Sequence, residues 1–386
     1  MLTAVVGSAL ANKAGNGGAA WVPLTWVRGF RAMGIDAYLI EEIASATCVD
    51  DAGHAASFDE SFNLAFFKHA TGTFGLEGRA VLVCDGGQET YGAAPADVAA
   101  LASDADFVVN ISGHLRSPAF RARTRRKIYL DLDPGYTQFW HLSGASPEID
   151  GHDAFFTIGE NIGNARCSIP NAGVKWQPTR QPTILSDWPV LDAHDDGRFT
   201  TVASWRGPYG PVEHGGRRYG PKAHEFRKFI GMPQQAEQAF EIALQIHPDD
   251  SADLRLLQDH QWRVTDPAEA AGDAARFRSY VQHASAEFSV AQGVYVHTAS
   301  GWFSDRSVRY LASGRPVLVQ DTGFSANIPV GEGLLCFDTL DDARRGAARI
   351  AADYAAHAVA ARRVAEKAFE HERVLGRFCD DVGLVT

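Results

Sequence analysis

Cysteine is scarce in this sequence, which holds 5 cysteines among 386 residues. The five are scattered and form no CxxC pair. A disulfide framework or a zinc site needs paired or regularly spaced cysteines, so neither is predicted. Free thiols are stable in a reducing compartment, and we expect a cytoplasmic protein.

Positive charge is also in deficit. The chain has 36 lysines and arginines against 47 aspartates and glutamates, which gives a formal net charge of -11. Nucleic acids and anionic membranes bind to basic surfaces, so we expect neither as a partner. Any phosphate group that binds must therefore be met by a local group of donors.

Long apolar runs are missing as well. No stretch approaches the roughly 18 apolar residues of a membrane-spanning helix. The first residues, MLTAVVGSALANKAG, have neither a basic start nor a long apolar segment. We therefore expect no export signal and no integral membrane segment.

Short apolar runs are what the first half of the chain does contain. Strands are predicted at LTAVVGSAL, DAYLIEE, RAVLVCD, DFVVNISG and KIYLDLDPG. The loop NKAGNGG separates the first strand from a segment with helical periodicity, and this βαβ order predicts a parallel sheet. A proline-rich, aperiodic stretch then marks a boundary near residues 177–195.

A second alternation comes after this boundary. RFTTVASWRG, QWRVTDP and RPVLVQD predict strands, QAFEIAL is helical or mixed, and FRSYVQHASAEFSVAQ predicts a helix. The alanine-rich segment that starts at Leu340 predicts closing helices. We predict an α/β protein with one domain over residues 1–185, a second over 190–360, and terminal helices over 361–386.

The stretch SGWFSDRSVRYLASGRPVLVQDTGF has the composition of an anion site. Ser304 or Asp305 can cap a helix, whose first N–H groups then lie near Arg306 and Ser307. Free N–H groups at a helix start bind anions, and an arginine beside them adds a fixed positive charge.

The order of these features resembles the GT-B superfamily of nucleotide-sugar glycosyltransferases. GNGGAAWVPLTWVRGFRAMGIDAYLIE is similar to the N-terminal Gly-Gly loop, helix and strand of that superfamily. SVRYLASGRPVLVQDTGF resembles the segment usually written EAMACGxPVV, and IPVGEGLLCFDTLDDA resembles the strand and capped helix that come after it. The resemblance implies two Rossmann-like domains facing a cleft, with terminal helices that cross back to the first domain.

The same resemblance implies an activity and a donor site. The activity is transfer of a sugar from a nucleotide-sugar donor to an acceptor hydroxyl or amine, without a bound cofactor. Arg306 and Ser307 match the diphosphate-binding segment, and Arg206 and Lys222 match a second basic pair after the first strand of the donor domain. Thr322 and Gly323 match the glycine loop beside the donor sugar.

One part of the superfamily pattern is missing. Common retaining members carry two glutamates spaced E-x7-E, and the corresponding positions, counted back from Gly314, hold Gly301 and Arg309. Two other functions therefore stay open: a sugar-nucleotide epimerase or hydrolase of the same fold, and a non-catalytic partner subunit that binds sugar nucleotides.

Candidates for acid or base chemistry lie after two predicted strands. His114 comes after VVNISG, where the superfamily often has a functional histidine, and it is the first candidate. Asp133 at the end of YLDLD is the second. Gly17 and Gly18 would let the first loop approach the donor's phosphates or the acceptor.

Two further alternatives arise from the same residues. Asp131 and Asp133 have the i, i+2 spacing of a DxD metal motif, although two Rossmann-like halves disfavour it, and we predict no essential metal. GNGG could belong to a dinucleotide fingerprint with Glu41 or Glu42 as the following acid. The third glycine of G-x-G-x-x-G is, however, Ala20.

Overall fold

A computed structural model describes residues 1–145, 148–192, 197–207 and 209–384. Residues 193–196, at the end of the boundary predicted near residues 177–195, and 385–386, in the predicted terminal segment, lie outside this description. The described residues form an eight-stranded sheet, a six-stranded sheet and a small two-stranded sheet.

The first sheet occupies the N-terminal half and has the order β4-β3-β2-β1-β5-β6-β7-β8. β3 and β4 are antiparallel, and the other neighbours are parallel. Its strands are β1 (Thr3–Gly7), β2 (Asp36–Ile43), β3 (Ala80–Cys84), β4 (Glu89–Tyr91), β5 (Phe107–Ile111), β6 (Arg126–Asp131), β7 (Ala154–Thr157) and β8 (Trp176–Pro178). The helices between them are α1 (Gly17–Ala32), α2 (Phe62–Thr73), α3 (Pro95–Asp104), α4 (Pro118–Arg123) and α5 (Tyr136–Leu142).

The second sheet is parallel throughout, in the order β13-β12-β9-β14-β15-β16. Its strands are β9 (Phe199–Ser204), β12 (Phe240–Gln245), β13 (Arg263–Thr265), β14 (Ala286–Ser289), β15 (Val317–Gln320) and β16 (Leu334–Phe337), and the separate hairpin comprises β10 (Val212–His214) and β11 (Arg217–Tyr219). The helices are α6 (Lys222–Phe226), α7 (Met232–Gln235), α8 (Ser251–Asp259), α9 (Pro267–Ala271), α10 (Ala274–Gln282), α11 (Gly293–His297), α12 (Asp305–Ala312), α13 (Leu340–Ala352), α14 (Tyr354–Ala368) and α15 (His371–Asp381).

Both parallel sheets have the doubly wound strand order. In each, the strand that comes first in the chain lies inside the sheet, earlier strands extend to one side and later strands to the other. This order leaves a crevice at the carboxyl ends of the two strands where the direction reverses, which are β1 and β5 in one sheet and β9 and β14 in the other. The predicted α/β fold with two Rossmann-like units is confirmed.

Two local predictions in the second half are wrong. QAFEIAL forms strand β12, and the segment predicted as one helix over 277–292 contains α10, a turn and strand β14. β12 pairs with β9 and β13, and β14 pairs with β9 and β15. Burial between neighbouring strands overrides the helical periodicity, because sheet pairing is a tertiary interaction.

The two halves pack closely along α1. The indole N–H of Trp21 donates to the carbonyl of Ala274 at 3.0 Å, and its ring lies 4.6 Å from that of Trp188. Arg309 is fully buried and donates to the carbonyl of Pro182 at 2.9 Å. α1 therefore packs on the first sheet and also forms part of the contact between the two halves of the protein.

The C-terminal helix also packs on the N-terminal half. The ring of Phe378 on α15 lies 5.2 Å from that of Trp26 on α1 and 4.4 Å from that of Phe156 on β7. Among the described residues, no helix is long and apolar enough to cross a membrane. The predicted domain limits stay predictions.

We expect Gly17→Ala to destabilise the protein strongly, because a Cβ atom there would lie 1.9 Å from the Asp273 carbonyl oxygen. Such an overlap forces backbone to move and costs about 3 kcal/mol. Gly18→Ala is the matched control, since its Cβ would meet the Phe277 ring at 3.2 Å. Thermal unfolding should show a lower midpoint for the first variant only, and equal midpoints would contradict this account of Gly17.

Candidate functional site

A cleft of about 640 Å³ lies between the two sheets. Residues at the carboxyl ends of β1 and β5 line one wall, and residues at the ends of β9 and β14 line the other. Both crevices of the doubly wound sheets therefore open into one space. Seven lining residues supply the charged, polar and aromatic groups of most chemical interest: Lys13, His114, Asp133, Lys222, Tyr295, Trp302 and Arg306.

Arg306 is tied to the second sheet by its guanidinium group. Nε donates to the Glu287 carboxylate at 2.7 Å, one Nη donates to the carbonyl of Val202 at 2.9 Å, and the other donates to the Ser289 hydroxyl. Its side chain is 13% exposed and that of Glu287 is fully buried. Arg306 thus anchors α12 beside β9 and β14, with its charge balanced by Glu287.

The ammonium group of Lys222, in contrast, has no ion-pair partner among the described residues. Lys222 begins α6, lines the cleft, and within the described part of the chain no hydrogen bond or ion pair engages its ammonium group. Burial, followed by repulsion from Arg306, lowers the pKa of Lys222 to about 7, although Glu287 acts in the opposite direction. Even partial burial of a cation without a partner is costly, and an anionic ligand would reduce this cost.

The start of α12 faces the same space. Ser304 is its N-cap residue but makes no side-chain capping bond, and Ser304, Asp305 and Arg306 line the cleft. The Ser307 side chain is buried and borders a separate small cavity. A contact from Ser307 to a ligand in the cleft would therefore come from its backbone N–H.

Arg206 lies elsewhere. It is not among the cleft-lining residues, and its guanidinium forms a bidentate ion pair with Asp250 at 2.7 and 3.0 Å. The side chain is half exposed. The glycine-rich insert between Arg206 and Lys222 includes the hairpin β10–β11, which separates the two residues that the sequence predicts as a pair.

Thr322 and Gly323 are also outside the cleft lining. The Thr322 hydroxyl donates to the carbonyl of Trp302, and the side-chain amide of Asn161 donates to the carbonyl of Gly323 at 3.1 Å. A Cβ at Gly323 would lie 2.8 Å from Asn161, and one at Gly301 would lie 2.9 Å from it. Asn161, from the N-terminal half, therefore fills the space between these two glycines.

The two aspartates of YLDLD have different surroundings. Asp131 is fully buried and accepts four hydrogen bonds: from the hydroxyls of Thr137 and Thr157, the amide of Gln138 and the backbone N–H of Asp133. This saturated carboxylate organises the strand end. It is not among the cleft-lining residues, so the two carboxylates do not form a joint metal site.

Asp133 lines the cleft and accepts hydrogen bonds from two tyrosines of the C-terminal half. The Tyr209 hydroxyl donates to one carboxylate oxygen at 3.1 Å, and the Tyr295 hydroxyl donates to the other at 3.2 Å. Burial raises the pKa of Asp133, partly offset by the positive charge of Lys13 and these two hydrogen bonds. A carboxylate with a raised pKa is a better proton acceptor than an exposed one.

Aromatic rings surround this carboxylate. Trp302 lines the cleft and stacks on Tyr295 with ring centroids 4.4 Å apart, while Tyr209 contacts Trp140 at 4.8 Å. The hairpin β10–β11 packs on the outer side of these rings, because the His214 ring stacks on that of Phe139 of α5 with centroids 4.5 Å apart. Sequence reasoning missed these tyrosines because they come from a glycine-rich insert and from a segment without a motif.

His114 lies in the loop after β5 and also lines the cleft. Burial and the charges of Lys13 and Arg116 lower its pKa to about 4. The ring is therefore neutral at physiological pH. It can still donate or accept a hydrogen bond.

The low pKa of His114 can be measured directly. We expect its ring to titrate with a midpoint near 4 in proton NMR, with His114→Asn used to assign the signal. The folded pKa lies below the unfolded value of about 6.5, so the folded state loses stability as pH falls through this interval. Lys13→Met should raise the midpoint, and a midpoint near 6.5 in the wild type would contradict this environment.

Of the two glycines in the first loop, Gly18 lines the cleft. Gly17 is buried against the backbone at Asp273.

Glu41 is buried and accepts hydrogen bonds from the backbone of the loop after β1. It is therefore occupied by protein, unlike the free acid of a dinucleotide site. Among the described residues, no group of three or more His, Cys, Asp or Glu side chains could hold a metal ion.

Comparison with known proteins gives a clear result for the fold. No protein-family model matches the sequence, and no curated protein sequence is significantly similar to it. Solved structures do match over the whole chain. An α-glucosyltransferase in complex with UDP has a TM-score of 0.59 at 10% identity, covering 99% of this chain and 100% of that one.

Two further structures show the same likeness. Anabaena HepE in complex with UDP-glucose has a TM-score of 0.61 at 12% identity, and sucrose-phosphate synthase from Thermosynechococcus elongatus has 0.57 at 10% identity, both covering 100% of each chain. Because each match covers nearly the whole chain, the likeness includes both sheets. The chain therefore has the GT-B fold of nucleotide-sugar glycosyltransferases.

Proposed function

We propose that this protein is a metal-independent glycosyltransferase of the hexosyltransferase kind. It moves a sugar from a nucleotide-sugar donor to an acceptor hydroxyl or amine in the cleft between the two sheets. The observation that carries this proposal is the partly buried ammonium group of Lys222, which has no partner among the described residues and lines the cleft with Arg306 and the start of α12. In support, structures with this fold contain UDP or UDP-glucose. A cytoplasmic location remains part of the proposal.

In this proposal Lys222, Arg306 and the first N–H groups of α12 bind the diphosphate of the donor. The diphosphate gains negative charge as the bond to the sugar breaks, and fixed donors in a water-poor cleft stabilise that charge. Each such donor can lower the barrier by about 3 kcal/mol. Arg206, Thr322 and Gly323 would need a rearrangement of the site to reach the same ligand.

Asp133 is the residue that we assign as the base, ahead of His114. Its raised pKa suits proton transfer from an acceptor hydroxyl, whereas the lowered pKa of His114 suits a neutral hydrogen-bonding role. The tyrosine hydroxyls hold both oxygens of the carboxylate. The acceptor hydroxyl would have to approach the free lone pairs of Asp133 from the cleft side.

The test is calorimetric binding of UDP, GDP, dTDP, ADP and NAD to the wild type, followed by turnover with sugar conjugates of whichever nucleotide binds. We expect one nucleoside diphosphate to bind and NAD not to bind. Products formed from the donor alone would favour an epimerase or hydrolase, and binding without turnover would favour a non-catalytic subunit. Absence of any diphosphate binding would refute the proposal.

A further inference from the structure

Lys13 forms a second positive centre on the opposite wall of the cleft. Its side chain is exposed there, and no hydrogen bond or ion pair to it is found in the described ranges. The turn that carries it is firmly held: the buried Glu41 carboxylate accepts the backbone N–H groups of Leu10, Ala11 and Asn12 at 2.8, 2.6 and 2.8 Å.

The neighbouring acid of β2 holds the next loop. The Glu42 carboxylate accepts the backbone N–H groups of Arg116 and Ser117 at 2.6 and 3.1 Å. This loop carries His114 and the exposed side chain of Arg116. Two adjacent acids thus fix two loops that place basic side chains at the same edge of the first sheet.

Lys13 lines the same cleft as the candidate base Asp133 and His114. Its positive charge lowers the pKa of His114 and offsets part of the rise in the pKa of Asp133 that burial causes. Opposite Lys13, the other wall holds the separate cationic pair of Lys222 and Arg306. A donor diphosphate bound by that pair leaves Lys13 available beside the position of the acceptor.

We infer that Lys13 binds an anionic group of the acceptor, so that the acceptor is a hydroxyl compound that also carries a phosphate or a carboxylate. The inference rests on the proposed function. In the reaction, the acceptor oxygen bonds to the anomeric carbon as the bond from that carbon to the diphosphate breaks. The hydroxyl proton passes to Asp133, and the nucleoside diphosphate leaves.

The experiment compares acidic and neutral compounds in the presence of a saturating nucleoside diphosphate. The pairs are glucose 6-phosphate with glucose, glycerol 3-phosphate with glycerol, and glucuronate with glucose, measured by calorimetry. We expect at least one acidic compound to bind about tenfold more tightly than its neutral partner. The two phosphate pairs and the glucuronate pair separate phosphate from carboxylate recognition.

Two variants assign the effect to Lys13. Lys13→Met should abolish the preference for the acidic compound, Lys13→Arg should retain it, and both should bind the nucleoside diphosphate within about twofold of the wild type. A wild type that binds the nucleotide but prefers no acidic compound overturns the inference alone. A Lys13→Met variant that loses nucleotide affinity as Lys222→Met does would also overturn it, by assigning Lys13 to the donor. A wild type that binds no nucleoside diphosphate overturns the proposed function, and the inference with it.

Discussion

Lys222→Met should weaken binding of the nucleoside diphosphate by about 10- to 100-fold, because charge-assisted hydrogen bonds contribute about 1.5 to 3 kcal/mol. The variant removes a partly buried cation that has no partner in the described part of the protein, so the free protein should lose little stability. Lys222→Met is therefore a cleaner probe than Arg306→Ala. Removing Arg306 would leave the Glu287 carboxylate buried without its counter-charge.

The pH dependence of binding provides an independent readout. The free Lys222 pKa of about 7 means that the ammonium form is lost as pH rises above neutrality. An anionic ligand favours the charged form, so affinity of the wild type should fall between pH 7 and 9. Lys222→Met has no group to titrate there, and its weaker affinity should be nearly constant over this interval.

Lys367→Met is the matched control, since Lys367 is exposed on α14 and is not among the residues that line the cleft. This variant should bind the nucleotide like the wild type and keep the same pH dependence. If Lys222→Met also retained wild-type affinity and pH dependence, the diphosphate site would lie somewhere else in the molecule.

The second large effect is expected from substitutions at Asp131 and Asp133, which should have different consequences. Asp131→Asn replaces an acceptor of four hydrogen bonds by a group that turns an NH₂ toward existing donors. We expect a loss of stability of at least about 3 kcal/mol, because buried polar groups would be left unpaired. Asp133→Asn should change stability by less than about 1 kcal/mol and lower the transfer rate by about 100-fold or more.

Thermal unfolding, calorimetry and the rate of transfer together distinguish the two aspartates. For Asp133→Asn, affinity for the nucleoside diphosphate should stay at the wild-type value while transfer is lost. His114→Asn serves as the comparison for the first candidate base. If His114→Asn abolished transfer while Asp133→Asn preserved it, the assignment of the base would have to be reversed.

Charge, composition and the spacing of apolar runs were sufficient for the fold class. Short strands that alternate with helices leave few arrangements, and right-handed parallel connections narrow them further. The strands β12 and β14 escaped prediction for a clear reason. Their central positions in a sheet override local helical periodicity, and a sequence window does not contain their partners in β9 and β15.

The candidate site, like the fold, was predicted only in part from the sequence. The sequence by itself determined that His114, Asp133, Lys222 and Arg306 follow strands or begin helices, and the carboxyl ends of parallel strands meet at one edge. Only the tertiary structure decided which charges were already paired. Arg206 is compensated by Asp250, Lys222 has no such partner within the described residues, and Lys13 lies across the cleft from it. Pairing depends on side chains that are distant in the chain, so the folded protein alone determines which cations remain available to a ligand.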